Sequence, residues 1–174
     1  LGALNDSIQN GTIREVILVS EALHEQKISQ IADKIARKNG RIKVVLIAGP
    51  TSSGKTTFSK RLAIQLVTYG ISPFALEMDD YFVDREKTPK DKNGNYDFES
   101  LDALDTTLME SHIRELMAGK EVVLPRFNFK TGKREKGETV HLNGNHVIVI
   151  EGIHGLNPKL FPQIPEENTF RIYA

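Results

Sequence analysis

Apolar positions in this chain fall into two patterns, unbroken runs and series spaced at helical intervals. The runs Val44 to Ala48 and His146 to Ile150 predict strands buried on both faces, as in a parallel sheet. Ser72 to Met78 predicts a shorter strand ending in Asp79-Asp80, and Phe170 to Tyr173 predicts another. Helical spacing appears in Ile28, Ile31, Ala32, Ile35 and Ala36, stopped by Asn39-Gly40, and again across Phe58 to Tyr69, closed by Gly70. A third series, Leu101, Leu104, Leu108, Ile113, Leu116 and Met117, runs from a Ser100 cap to Gly119. The β-branched cluster Val16, Ile17 and Val19 predicts a strand over Arg14 to Val19, with Ser20 capping the first helix. Glu121 to Leu124 predicts a third strand, and Phe127 to Leu142 an irregular hairpin around Thr131-Gly132 and Lys136-Gly137. The charged stretch Asp84 to Asn95 predicts a solvated, mobile loop with room for a gating role.

Strands alternating with helices imply an α/β fold, a parallel sheet flanked by helices. Residues 1–39 form a short N-terminal strand-helix extension and residues 40–174 the core. The chain opens on Leu1 rather than Met, so residues 1–39 are expected to be the remnant of a preceding region. Lys plus Arg and Asp plus Glu each number 23, so no basic excess exists to drive nucleic-acid binding. No apolar run approaches the roughly 20 residues that span a bilayer, and cysteine is absent. The expectation is a cytoplasmic protein, not bound to membrane or nucleic acid, with room for a homo-oligomer.

Gly49-Pro50-Thr51-Ser52-Ser53-Gly54-Lys55-Thr56 satisfies G-x-x-x-x-G-K-[ST] between a buried apolar run and an amphipathic helix, which is the P-loop arrangement. Successive backbone amides and the positive end of the following helix make an anion-binding concavity, and the glycines allow close approach. Lys55 is placed to reach the β and γ phosphates of a nucleotide, the Thr56 hydroxyl to ligate Mg²⁺, and Thr51, Ser52, Ser53 and Thr57 to bind phosphate oxygens. Asp79 and Asp80 stand at the carboxyl end of a strand, where open α/β folds bind ligands; one of the two is placed to take a proton from an attacking hydroxyl. Glu151 follows another strand and is placed to hold Mg²⁺. The histidines show no metal spacing: His24 and His112 fall on charged helix faces and are expected to be solvated, and His154 lies nearest the phosphate site.

These residues, with Met78-Asp79-Asp80-Tyr81-Phe82, Tyr96-Asp97-Phe98-Glu99, Leu101-Asp102-Ala103, Pro125-Arg126-Phe127-Asn128-Phe129 and Ile150-Glu151-Gly152, resemble the uridine kinases of the uridine kinase and phosphoribulokinase superfamily over residues 41–173. The resemblance is closer to a subgroup with extra N-terminal sequence. It implies a P-loop kinase fold that moves the γ-phosphate of ATP, or GTP, to a nucleoside 5'-hydroxyl with Mg²⁺. It puts Asp79 on the catalytic aspartate, also near the metal, and Glu151 on the acidic metal-site residue. Tyr81 and Phe82 fall on the aromatic substrate pair, and Glu99 on a residue that grips ribose. Where the family reads the base through a tyrosine and a histidine, this chain has Phe127 and Gly132. Phe127 retains a ring to stack on a base, and Arg126 or Arg134 would suit a more anionic acceptor.

The resemblance therefore implies an ATP-dependent nucleoside kinase, with catalysis by Asp79 and Lys55. A kinase of another small hydroxyl compound or a sugar phosphate is the alternative in the same class. A non-catalytic ATP-binding regulatory module is the alternative outside it. The family's arginine-bearing lid follows the strand that ends this sequence, so residues 1–174 are expected to bind nucleotide and to transfer phosphate slowly.

Overall fold

The computed structural model describes residues 2–174; Leu1, on which the expectation of a preceding region rests, lies outside the described residues. In chain order the elements are α1 (Gly2–Gln9), α2 (Ile13–Ala36), β1 (Val44–Ala48), α3 (Lys55–Thr68), β2 (Ser72–Glu77), α4 (Thr106–Met117), β3 (Glu121–Asn128), β4 (Lys133–His141), β5 (His146–Gly152) and β6 (Thr169–Tyr173). Strands β2, β5, β1 and β6 form one sheet in that spatial order, every pair parallel. The unbroken apolar runs lie at its centre because both faces are covered. Val44, Leu46, Ile148 and Ile150 face a cluster with Met109, Ile113 and Leu116 of α4. Val45, Ile47, Val147 and Val149 face Phe58, Leu62 and Leu66 of α3 and Ile28, Ala32 and Ile35 of α2. Successive side chains of a strand point to opposite faces, so alternate residues serve opposite cores, and each one removed from water contributes about 1.5–3 kcal/mol.

Four local expectations are corrected. Arg14 to Val19 is helical, part of a single α2 from Ile13 to Ala36, and Ser20 is no cap: its hydroxyl donates to the Val16 carbonyl inside the helix. No strand neighbour reaches this segment among the described residues, and Val16, Ile17, Leu18 and Val19 remain exposed. Backbone bonds made within the segment therefore decide its form over β-branched propensity. Ser100 caps only a short 3₁₀ turn, Leu101–Ala103, by accepting from the Asp102 amide. Leu104 is extended, and α4 begins after Asp105, whose carboxylate accepts from the Leu108 amide at 3.0 Å.

Glu121 to Leu124 does not join the parallel sheet. β3 pairs antiparallel with β4 as a separate two-stranded ribbon, with a register shift between Val123 and Pro125. The Asp84 to Asn95 stretch is pinned where it begins. The Arg85 amide donates to the Gly132 carbonyl at 2.8 Å, and Asp84 accepts from the Arg134 amide at 3.1 Å.

Truncation of Leu62, fully buried between α3 and α2, is expected to lower unfolding stability by about 2–5 kcal/mol as Leu62→Ala. Leu18→Ala, on the exposed part of α2, is expected to change it by less than about 0.5 kcal/mol. Denaturant unfolding of the two variants against the parent chain checks both.

Candidate active site

Parallel register brings the chemistry to one edge. Ile47 lies opposite Glu151, Ala48 opposite Gly152, and Glu77 opposite Glu151 on the other side of β5. The loop after β1, the end of β2 and the end of β5 therefore share the carboxyl edge of the sheet, where α/β ligand sites form.

The loop carries two residues in left-handed backbone. Gly54, with φ 88°, precedes α3 as its N-cap, where a Cβ would be disfavoured. Ser52 adopts φ 62° without that freedom, the kind of strain that clusters in ligand-binding loops. Lys55 folds back over the loop, its Nζ donating to the carbonyls of Gly49 at 2.8 Å and Pro50 at 2.6 Å. The first turn of α3, with Lys55, Thr56 and Thr57, adds backbone N–H groups that have no partners within the helix.

Thr56 and Glu151 meet directly. The Thr56 hydroxyl donates to Glu151 Oε1 at 2.7 Å, across 95 residues of chain. Glu151 Oε2 is buried with no hydrogen-bond partner. A hydroxyl oxygen beside a carboxylate with an unsatisfied oxygen is a hard-donor pair suited to Mg²⁺. Among the described residues no three Asp, Glu or His side chains gather to hold a metal by themselves. A cation here would therefore depend on Thr56, Glu151 and oxygens of the bound phosphates, with Asp79 alongside.

Asp79 sits in a 3₁₀ turn, Met78–Tyr81, directly after β2. The turn packs against β5: a Cβ on Gly152 would come within 2.6 Å of the Met78 sulfur, so a larger residue there would push the Met78 side chain aside. Asp79 opens to the cleft, yet the walls around it withdraw enough water to raise its carboxyl above the ordinary value, and the charges of Asp80 and Glu151 add to the rise. Asp80 turns the other way, its Oδ1 accepting from the Phe127 amide at 3.0 Å. Thr51, Ser52, Lys55, Asp79 and Glu151 line one cavity of about 390 Å³. Glu77 and His154 complete its polar wall, and Met78, Phe82, Phe98 and Leu104 its apolar wall.

The remaining expected substrate residues separate. Phe82 lines the cavity and packs edge-on against Phe98 at 5.2 Å between ring centroids. Tyr81 is 1% exposed and its hydroxyl meets His112 Nδ1 at 3.1 Å, because the 3₁₀ turn points it into the core rather than the cleft. Phe127 is likewise buried, at 3% exposure, packed beneath Phe82 and Phe129, which removes its faces from any base. Gly132 lies in the ribbon turn against Arg85. Arg134 pairs with Asp105 at 2.8 Å, and Glu99 is exposed and lines no cavity among those described. Arg126 lines a different cavity of about 510 Å³ between β2 and the ribbon, which holds none of the phosphate loop.

One histidine departs from expectation, and another stands where its place in the sequence put it. His112 is half-buried on Tyr81, not solvated, because Tyr81 meets it from 31 residues away. His154 lines the cleft, and its Nε2 is buried without a partner. Its place three residues after Glu151 was the available sequence signal. Phe98 belongs to the Tyr96-Asp97-Phe98-Glu99 motif, and the sequence marks Leu104 only as a core position.

A solved structure described as a possible uridine kinase from Bacillus stearothermophilus superposes with a TM-score of 0.61, at 27% identity, over 84% of this chain and 80% of that one. The uridine kinase of Lactobacillus helveticus is 29% identical over 110 residues, 63% of this chain and 51% of its own length. Inorganic pyrophosphatase TTM2 of Arabidopsis thaliana is 28% identical over 170 residues, 92% of this chain and 24% of its own length. The chain thus spans only part of these curated relatives. No helix among the described residues is long and apolar enough to cross a membrane. The family model described as phosphoribulokinase / uridine kinase matches residues 44–173, three-quarters of the sequence, and the chain belongs to that family.

Proposed function

We propose that this chain carries the catalytic core of an ATP-dependent phosphotransferase that phosphorylates a hydroxyl group, a nucleoside 5'-hydroxyl in the leading reading. The observation that carries it is the meeting of Lys55, Asp79 and Glu151 around one cavity beside the phosphate loop. The cysteine-free composition is compatible with a reducing, cytoplasmic setting.

The loop amides and Lys55 hold the donor phosphates, Lys55 exchanging its carbonyl partners for phosphate oxygens. Mg²⁺, held by Thr56 and Glu151, would neutralise charge developing on the phosphates. Asp79 orients the acceptor hydroxyl and takes its proton as the hydroxyl oxygen bonds to the γ-phosphorus. The bond from that phosphorus to the β–γ bridging oxygen breaks, and ADP leaves. Phe82, Phe98 and Leu104 supply an apolar wall for the rest of the acceptor.

Another uncharged hydroxyl compound is the second reading. It is favoured by Phe127 being buried and Gly132 facing Arg85, which leaves neither position able to hydrogen-bond a base. A sugar phosphate fits less well: the cleft holds three carboxylates, Glu77, Asp79 and Glu151, against one cation, Lys55. The two arginines that would have balanced an anion lie outside this cavity.

Asp79→Asn is expected to reduce transfer of labelled γ-phosphate to the acceptor by at least about 10²-fold while leaving ATP affinity nearly unchanged. Transfer assays and calorimetric ATP titration check this, and an unaffected rate removes Asp79 from its role. The same substitution tests the raised carboxyl through stability. Ionised Asp79 is disfavoured in the folded state, so folding is relatively favoured below the ordinary value of 3.8 and loses that support as pH rises through the higher folded value. Without Mg²⁺, Asp79→Asn is therefore expected to unfold at higher denaturant than the parent at pH 7, with the gap closing as pH falls below 4. Unfolding curves across pH check the sign.

A further inference from the structure

The carboxylate assigned to proton transfer rides on a four-residue 3₁₀ turn, a conformation with poorer internal hydrogen bonds than an α-helix. The atoms that fix this turn therefore come from elsewhere. The Tyr81 carbonyl accepts from the Asp105 amide at 2.9 Å, and the Tyr81 hydroxyl meets His112 Nδ1 at 3.1 Å. The two rings pack edge-on, 5.7 Å between centroids. Asp105 caps α4 and also accepts from Arg134 Nη1 at 2.8 Å. Burial pushes the Asp105 carboxyl up, but the Leu108 amide and Arg134 outweigh it and hold it below its ordinary value, so it stays a carboxylate.

These contacts form a continuous path from the β3–β4 ribbon, through Arg134 and Asp105, to the backbone two residues beyond Asp79. A second path runs from α4 through His112. Tyr81 is 1% exposed, so its hydroxyl depends on the His112 nitrogen as its partner, and losing that partner leaves a buried polar group unpaired. Burial also keeps the His112 imidazole below its ordinary value, and in the neutral ring's Nε2–H tautomer Nδ1 accepts from the Tyr81 hydroxyl. Neither Tyr81 nor Arg134 lines the cleft that holds Asp79.

We propose that Tyr81, His112, Asp105 and Arg134 form a brace that sets where the Asp79 carboxylate stands, and that Tyr81 and Arg134 are positioning residues rather than acceptor contacts. The proposal rests on the reading of Asp79 as the group that takes the acceptor proton. A carboxylate displaced by about 1 Å can cost on the order of 10²-fold in rate, so a brace this close has kinetic consequences.

The test combines steady-state kinetics, denaturant unfolding and amide hydrogen exchange on the full chain. The variants are Tyr81→Phe, His112→Leu, Arg134→Ala, His112→Asn and the double variant Y81F/H112L. Tyr81→Phe, His112→Leu and Arg134→Ala are each expected to lower kcat about 10-fold with acceptor KM changed less than about 2-fold. Exchange at Asp79 to Phe82 should quicken in all three. His112→Asn, whose amide oxygen can replace Nδ1 as acceptor, should keep kcat within about 3-fold of the parent. The double variant removes both buried partners and should regain stability relative to His112→Leu, while its kcat stays low.

A rise in acceptor KM at constant kcat would make Tyr81 or Arg134 an acceptor contact and overturn the brace. Recovery of kcat together with stability in the double variant would reduce the pair to a structural role and overturn it equally. If the parent and Asp79→Asn release ADP alike with every acceptor, the functional reading fails. The exchange data then judge the brace separately, and unchanged exchange at Asp79 to Phe82 overturns it.

Discussion

The site depends on the parallel pairing of β1 with β5. That pairing sets Ile47 opposite Glu151, and the loop leaving β1 then meets the end of β5, where the Thr56 hydroxyl reaches Glu151. Both strands are buried on both faces, so a slip of one residue would exchange every side chain between two cores and turn Glu151 toward apolar surroundings. Packing therefore enforces a register that the chemistry then uses. β2, on the other side of β5, is tied into the same register and delivers the Asp79 turn to the same edge.

Electrostatics at that edge explain why the cleft calls for a cation beside any bound phosphate. Glu77, Asp79 and Glu151 converge on a space with one ammonium, and Lys55 is satisfied by loop carbonyls. Burial holds Asp79 above its ordinary value, and the charges of Asp80 and Glu151 add to the rise. A divalent cation carried in with the nucleotide would offset both these carboxylates and the phosphates.

The sheet was legible because a strand buried on both faces leaves an unbroken apolar run, and Val44 to Ala48 and Val147 to Ile150 are such runs. The phosphate loop was legible because its chemistry is local. Arg14 to Val19 was not, because an apolar stretch without periodicity carries no information on its partner, and here none arrives among the described residues. Glu121 to Leu124 alternates like any half-buried strand, and only tertiary pairing tells which sheet takes it. Tyr81, Phe127 and Arg134 have the residue types of acceptor contacts. Their partners, His112, Phe82 and Asp105, stand 29 to 45 positions away in the sequence, and contact between them is a property of the fold. In each case the residue type was readable and the direction of its side chain was not.

The central claim is that the cleft passes a phosphoryl group from ATP to an uncharged hydroxyl acceptor. ADP release with Mg·ATP, measured against a panel of nucleosides, other uncharged hydroxyl compounds and sugar phosphates, tests it most directly. The account predicts stimulation by uridine, cytidine or another uncharged compound and none by the sugar phosphates. Stimulation confined to sugar phosphates, or ADP release indifferent to every acceptor, would contradict it.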